Sequence, residues 1–186
     1  MYSKALPIVL MLIFSCTAYA QAPSFKKIEN GYLLAPTPLD DEIDIVDGDT
    51  LWLGIHEIRL YGIDAPEHGQ PCISEDHSAN FCYKAASKAL EDYSKMDNFR
   101  CEIRTKDDKA WKRYGRYIAK CYVGELDIGR ALVSQGLAYA DPIYGDEYVA
   151  LQKAATKAKL GMHGTEHKSP KAWRKEKNEV SPKPCK

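Results

Sequence analysis

The segment 41–63 constrains the fold most strongly, because apolar and polar residues alternate in it around a tight turn. The alternating apolar residues on either side of the turn are Ile43, Ile45, Leu51 and Leu53. Alternation that flanks an Asp47-Gly48 pair predicts a β-hairpin, since Asp-Gly readily adopts the positive φ of a tight turn. Residues 57–61 alternate again. The segment is therefore predicted to form a three-stranded meander.

Downstream of the meander, the pattern predicts helices and a second pair of strands. Segments with the apolar period of a helix lie at 79–96, 127–134 and 146–160. Asp127 is a favourable N-cap for the second of these, and Gly136 ends it. Residues 99–105 and 116–123 read as two more strands. Roughly five short strands with interspersed helices predict an α+β fold, a small barrel buttressed by helices.

Residues 1–20 have the features of a secretory signal peptide. A lysine precedes the apolar run 6–14, and residues 18–20 form an A-x-A cleavage site. The run is too short to span a bilayer, so a secreted or periplasmic location is expected, with no membrane span. Cys16 offers a lipoprotein alternative, which the bulky Phe14 two residues before it disfavours.

The net charge does not by itself indicate a nucleic-acid-binding protein. The chain has 26 Lys and Arg against 26 Asp and Glu, so binding to a polyanion must use a local patch. The Pro-rich residues 21–40 are expected to form an extended lead-in, followed by one folded domain at 41–161. The basic tail 162–186 is expected to be partly disordered rather than a contact surface.

The cysteines fit an oxidising compartment. Cys101 and Cys121 lie on the two strand-like segments that flank a polar turn, so a cross-strand disulfide is plausible. Cys72 and Cys82 bracket a polar loop, and closing it would contribute about 2–3 kcal/mol. Cys185 is left over in the tail.

A zinc site is the alternative use of the same loop. Its ligands would be His68, Cys72, His77 and Cys82. Their spacing fits no common zinc module, and export favours a disulfide instead.

Three short motifs contain the residues that could carry out chemistry, at 47–50, 59–67 and 114–116. Each one alone is more typical of a turn or of a surface charge. Together they offer carboxylates for a hard cation, one further carboxylate and two guanidinium groups. A metal ion neutralises phosphate oxygens, a carboxylate activates water, and arginines match the charge of a five-coordinate phosphorus. These are the groups that hydrolysis of a phosphodiester needs.

The order and spacing of these motifs strongly resemble the staphylococcal nuclease family. Arg59 precedes Asp64 by five residues and Glu67 by eight, between an Asp-Gly-Asp-Thr turn and a helix. The resemblance covers about 41–161 and includes 126–138, which is similar to the family's second helix. It implies a small five-stranded OB-fold β-barrel with three α-helices.

The resemblance also implies roles for individual residues. Asp49 and Asp64 match the aspartates that bind Ca²⁺ in the family, and Ala65 matches the residue whose backbone carbonyl joins them. The implied catalytic residues are Glu67 as general base and Arg59 and Arg116 as phosphate-binding arginines. The chain departs from the family at Lys112, where other members often have an Asp.

The function that the resemblance implies is a secreted or periplasmic, Ca²⁺-dependent, sugar-nonspecific nuclease. It would hydrolyse DNA and RNA, cleaving P–O5′ to leave 3′-phosphates, and a monomer is expected. Tyr114 and Tyr144 are candidates for stacking on bases, which would favour single strands, although packing explains such tyrosines equally well.

Two other classes of function remain open. A non-catalytic OB-fold module of the cell envelope would bind nucleic acid without cleaving it. Such a module would be expected to lose one or more of Glu67, Arg59 and Arg116, and all three are present. A structural or adhesive envelope protein is supported only by the basic tail.

Overall fold

The structure is a computed structural model that describes residues 26–29, 31–35, 43–75, 79–106 and 109–180. The predicted signal peptide at 1–20, with Cys16, lies outside the described residues, as do His77 and Cys185.

The described residues form fourteen short strands and four α-helices. In chain order the strands are β1 (Lys26–Ile28), β2 (Gly31–Leu34), β3 (Ile43–Ile45), β4 (Thr50–Leu53), β5 (His56–Leu60), β6 (Ile63–Asp64), β7 (Pro71–Ile73), β8 (Ala79–Phe81), β9 (Phe99–Lys106), β10 (Lys109–Ala110), β11 (Lys112–Arg113), β12 (Arg116–Val123), β13 (Leu126–Asp127) and β14 (Tyr139–Ala140). The helices are α1 (Cys82–Ser94), α2 (Ile128–Ser134), α3 (Val149–Lys157) and α4 (Pro170–Val180), with a 3₁₀ turn at Gly161–Gly164.

One large sheet organises the molecule, in the order β1-β2-β9-β12-β5-β4-β3. β3, β4 and β5 pair antiparallel in succession, so the predicted meander is confirmed. β12 pairs antiparallel with β9, as predicted, and parallel with β5. The parallel pairing sets Ile118 opposite Arg59, which brings the start of β12 beside the meander.

The α+β prediction is confirmed, whereas the prediction of a five-stranded barrel with three helices is wrong in its counts. The additional strands are two- to four-residue segments, too short to show a clear alternation in the sequence. They include β1 and β2, which make the predicted lead-in part of the sheet through the pairing of β2 with β9. Among the described strands, the order runs from β1 at one edge to β3 at the other. These two edge strands do not pair with each other, so the sheet does not close into a barrel.

The helix boundaries differ from prediction where a competing interaction exists. α1 begins at Cys82 rather than at 79, because residues 79–81 pair with β7. α3 is shorter than predicted, at Val149–Lys157. α2 begins as expected, with Oδ1 of Asp127 accepting a 3.0 Å hydrogen bond from the backbone N–H of Arg130.

The core is one cluster of buried side chains contributed by the sheet and by the helices packed on it. Ile58 on β5, Leu90 on α1 and Leu132 on α2 are all 0 % exposed. Tyr148, just before α3, is also buried, and its hydroxyl donates to Oδ2 of Asp127 at 2.7 Å. The cap of α2 is thereby fixed to the start of α3.

Both predicted disulfides are present. Cys101 and Cys121 are directly paired residues of β9 and β12. Cys72 on β7 is joined to Cys82, the first residue of α1. Because Cys72 and Cys82 are joined in a disulfide, neither can supply a thiolate to zinc. The alternative zinc site therefore does not form from these cysteines.

The basic tail forms structure that the sequence analysis did not predict. After the 3₁₀ turn, backbone hydrogen bonds of 2.9 and 2.8 Å join Ile73 to Glu166. Nε2 of the fully buried Gln70 donates to the carbonyl of Lys168 at 2.7 Å. These contacts fix the tail to the loop after Glu67, and α4 follows directly. In the described part of the chain, no helix is long and apolar enough to cross a membrane.

Candidate active site

The turn between β3 and β4 positions the first carboxylates. Oδ1 of Asp47 accepts the backbone N–H of Asp49 at 3.0 Å, an Asx turn that fixes both residues. A Cβ on Gly48 would lie 2.4 Å from the Cβ of Ala86 and 2.8 Å from that of Ala65. Glycine is therefore required for the turn to approach α1 and the end of β6 so closely.

Asp49 is 2 % exposed, and its two oxygens have separate partners. Oδ2 accepts the backbone N–H of Ala65 at 2.8 Å, and Oδ1 accepts the hydroxyl of Thr50 at 2.8 Å. Burial, together with the neighbouring Asp49 carboxylate, raises the pKa of Asp47 to about 7. Two buried or half-buried carboxylates lie close together in this turn, so they require cationic partners to remain charged.

Arg59 on β5 supplies the first cationic partner. Its Nη1 lies 2.6 Å from Oδ1 of Asp49, and its Nη2 lies 3.0 Å from Oδ1 of Asp64. Burial alone would lower the pKa of Arg59, but the Asp49 and Asp64 carboxylates hold it above its ordinary value. One guanidinium therefore holds two predicted cation ligands together.

A strand end positions Asp64, and a tight turn positions Glu67. β6 is held by β14, in which Tyr139 pairs with Asp64. Oε1 of Gln70 accepts the backbone N–H of Glu67 at 3.1 Å, and the N–H of Gln70 donates to the carbonyl of Glu67 at 2.9 Å. The Glu67 carboxylate stays partly accessible, with 31 % of its side chain exposed.

Arg116 opens β12 on the other side of the same site. Its guanidinium makes a long hydrogen bond, 3.4 Å from Nη1 to the hydroxyl of Thr50. Arg113 pairs with Arg116 across the β11–β12 hairpin, and its Nη1 lies 3.4 Å from the hydroxyl of Tyr144. The hairpin therefore directs two guanidinium groups to one side of the site.

The two predicted stacking tyrosines have different environments. Tyr114, in the hairpin turn, is 83 % exposed. Tyr144 is 6 % exposed, and its ring packs against Tyr61 and Trp111 with centroid distances of 5.5 and 5.4 Å. Tyr114 is thus largely exposed, with the Arg113 guanidinium 5.4 Å from its ring centroid, whereas most of Tyr144 is packed inside an aromatic cluster.

These groups surround one cleft of about 590 Å³. Its acidic and basic lining residues are Asp47, Arg59, Asp64, Glu67, Arg113, Arg116, Asp141, Lys171 and Arg174. The structure therefore brings together the predicted Arg59, Asp64, Glu67 and Arg116, with Asp49 buried directly behind Arg59. Tyr114 and Tyr144 line the same cleft.

Arg174 on α4 is a site residue that the sequence analysis missed. Its Nη1 and Nη2 each lie 2.9 Å from a different oxygen of Asp64, and Nη1 also lies 2.5 Å from Oε1 of Glu67. The hydrogen bonds to Asp64 and Glu67 raise the pKa of Arg174 above its ordinary value. The basic composition of the tail was visible in the sequence, but nothing in it indicated which basic residue reaches the site.

The donor set has the chemistry that a hard cation needs, although not a complete cage. Asp49 lies in the β3–β4 turn and Asp64 at the end of β6, yet a single guanidinium spans them. In the described part of the chain, no group of three or more His, Cys, Asp or Glu side chains is arranged as a metal site. Two carboxylates and a backbone carbonyl, completed by water and substrate oxygens, are compatible with Ca²⁺. Arg59 and Arg174 balance the negative charge of these carboxylates in the structure.

Comparison with known proteins assigns the family. Residues 57–164, more than half of the chain, match the family described as Staphylococcal nuclease homologue. The chain belongs to this family. The resemblance inferred from the motifs is thereby confirmed, and the match includes Arg59, Asp64, Glu67 and Arg116.

One curated relative of this staphylococcal nuclease homologue is named "Succinoglycan biosynthesis protein ExoI", from Rhizobium meliloti (strain 1021). The two sequences are 31 % identical over 106 residues, which are 56 % of this chain and 53 % of the relative. The chain thus spans about half the length of that relative. Membership of the family supports a nuclease-like or nucleic-acid-binding domain.

Proposed function

We propose that the protein is a Ca²⁺-dependent, sugar-nonspecific nuclease that hydrolyses phosphodiester bonds of DNA and RNA. The observation that carries the proposal is the convergence of Arg59, Asp64, Glu67 and Arg116 on one cleft, with Asp49 bound to Arg59 behind it. Such a cleft combines groups for a cation, for water and for phosphate. The family match supports the same chemistry.

Asp49 and Asp64 would hold the cation, with the backbone carbonyl of Ala65 as a further ligand. When bound, Ca²⁺ supplies charge neutralisation at a non-bridging phosphate oxygen and a position for water. The hydrogen bonds from Thr50 and Ala65 orient the Asp49 carboxylate in advance. Asp64 is fixed by the pairing of β6 with β14. The ligands are thus placed by secondary structure, which limits their reorganisation.

Glu67 is the proposed general base. The turn closed by Gln70 holds its backbone, while the carboxylate remains accessible in the cleft. One of its oxygens would accept a proton from water as the water oxygen forms its bond to phosphorus. The P–O5′ bond would break on the opposite side, leaving a 3′-phosphate end, and the departing 5′-oxygen would take a proton from solvent to become a 5′-hydroxyl.

Arg116 and Arg59 would contribute differently to binding the phosphate. Arg116 has one long hydrogen bond to Thr50 and borders the open cleft, so its guanidinium can bind equatorial oxygens. Arg59 donates from both terminal nitrogens to Asp49 and Asp64. Its first effect is therefore to position those carboxylates, with its remaining N–H donors available to phosphate.

The exposed ring of Tyr114 fits the stacking of an unpaired base, which favours single-stranded substrate of any sequence. We place the protein outside the cytoplasm as part of this proposal, as a monomer secreted or retained in the periplasm. The two disulfides support an oxidising compartment, and the leader-like residues 1–20 support export.

A non-catalytic nucleic-acid-binding module is the second candidate. The observation that favours it is the occupation of both Asp64 oxygens by guanidinium groups, from Arg59 and Arg174. A module of this kind would use the same arginines and Tyr114 to bind nucleic acid, and it would need no water-activating carboxylate.

Glu67→Gln separates the two candidates. Cleavage and binding of an end-labelled single-stranded oligonucleotide should be measured for the wild type, Glu67→Gln and the control Glu125→Gln. Glu125 is exposed in the turn after β12, away from the lining of the cleft. The nuclease proposal expects cleavage to fall at least about 100-fold in Glu67→Gln alone, with binding retained. Binding without cleavage in all three proteins would favour the module.

A further inference from the structure

The contact between α4 and the carboxylates of the cleft has a consequence for cation binding. We propose that α4 is an intramolecular competitor of the cation, with Arg174 occupying the place that the cation takes beside Asp64 and Glu67. The proposal rests on the proposed function in taking these two carboxylates as the cation and water site.

The geometry makes the two occupants mutually exclusive. Arg174 uses both terminal nitrogens on the two oxygens of Asp64, at 2.9 Å each, in the fork arrangement that guanidinium makes with carboxylate. Oδ1 of Asp64 also accepts from Arg59. Calcium binds carboxylate oxygens at about 2.3–2.6 Å, so it would coincide with these N–H groups. The positive charges of the cation and of the guanidinium would also repel each other.

One oxygen of the Glu67 carboxylate is engaged by the same side chain. Nη1 of Arg174 lies 2.5 Å from Oε1 of Glu67, closer than a usual neutral hydrogen bond. That nitrogen occupies the hydrogen-bonding position at Oε1 that an attacking water would use. The docked helix therefore withholds both the cation ligand and the proposed base.

The helix is attached in a way that permits release. The segment before it is fixed by Gln70 to Lys168 and by the hydroxyl of Tyr139 to Nε2 of His167, at 2.7 and 2.8 Å. Within α4, by contrast, the side chains whose positions are described are mostly exposed, with Pro170 buried and Trp173 half-buried. Arg174 is thus the principal polar anchor of the helix to the site. Release can begin at Ser169 without disturbing the fixed segment.

Competition is reciprocal, since two ligands that exclude each other must lower each other's affinity by the same factor. Removing Arg174 should strengthen cation binding, and binding the cation should loosen α4. The second effect can be measured in the wild-type protein, so the proposal can be tested even if a variant folds poorly.

Calorimetric titration with Ca²⁺ tests the first effect in the full chain. Arg174→Gln should bind Ca²⁺ about tenfold more tightly than the wild type, within the usual range of coupling between sites. Arg130→Gln, which removes an exposed arginine of α2, should bind like the wild type. Arg174→Lys should also bind more tightly than the wild type, because an ammonium keeps the charge but loses the fork.

Hydrogen exchange of the α4 amides tests the second effect, with and without saturating Ca²⁺. Faster exchange in 170–180 on saturation is expected. The proposal is overturned if Arg174→Gln binds no more tightly than Arg130→Gln, or if exchange in α4 is unchanged. In either case a wild type that still cleaves DNA with Ca²⁺ leaves the proposed function intact. If no protein binds Ca²⁺, both proposals fail.

Discussion

Nη1 of Arg59 lies 2.6 Å from Oδ1 of Asp49, and both side chains are almost completely buried. A buried ion pair of this kind depends on both partners, because a lone buried charge is costly. Arg59 also reaches Asp64, so the pair links the β3–β4 turn to the end of β6. The arginine therefore sets the distance between the two carboxylates assigned to the cation.

Arg59→Lys tests this positioning role. Lysine keeps the charge but cannot span both carboxylates with one planar fork, so kcat should fall about 100- to 1000-fold. The Ca²⁺ concentration for half-maximal activity should rise, while the KM for DNA changes little. Steady-state kinetics at several Ca²⁺ concentrations measure all three quantities. Wild-type kcat in Arg59→Lys would contradict a role for the fork, and Arg130→Lys serves as the matched control.

The hydrogen bond from Tyr148 to Asp127 should be measurable in stability. Tyr148→Phe removes a buried donor from the carboxylate that caps α2, so the free energy of unfolding should fall by about 1–2 kcal/mol. Tyr93→Phe is the control, because the hydroxyl of Tyr93 accepts from an exposed Gln135. Urea denaturation of the two variants should separate them. Equal decreases in the free energy of unfolding of the two variants would mean that the buried hydrogen bond contributes no more than the exposed one.

His163 should make stability depend on pH in the weakly acidic range. Burial, and secondarily His167, lowers its pKa below the ordinary 6.5. As the pH falls, His163 is therefore protonated in the unfolded chain while it is still neutral in the native protein. The contribution of His163 to the free energy of unfolding is lost from about pH 6.5 down to the lowered native pKa. His163→Phe should remove that part of the slope in a series of urea denaturations. If the free energy of unfolding of His163→Phe depends on pH as in the wild type, other groups cause the dependence.

The parts of the fold that local sequence determines could be predicted. The β3–β5 meander follows from alternation around Asp47-Gly48, and the start of α2 follows from the capping ability of Asp127. Both disulfides follow from cysteines on segments that are close in the chain or pair across strands. The motif from Arg59 to Glu67 can be recognised because β5, the short turn after it and β6 fix its spacing.

What could not be predicted depends on contacts between distant segments. Arg174 meets Asp64 across 110 residues, and no periodicity in a basic tail identifies which side chain makes such a contact. β7 lies in a segment that reads as a polar loop, and β8, its partner, takes the first residues of the segment predicted as a helix. Tyr144 and Tyr114 look alike in the sequence, whereas tertiary packing buries one and exposes the other.

The central claim is that this cleft hydrolyses phosphodiester bonds with the help of a cation. The most direct measurement is the initial rate at which the wild-type protein cleaves heat-denatured DNA as free Ca²⁺ is raised from a chelated baseline to millimolar levels. The account predicts negligible cleavage in chelator and a saturable rise with Ca²⁺. Cleavage that persists unchanged in chelator, or no cleavage at any Ca²⁺ concentration, would contradict it.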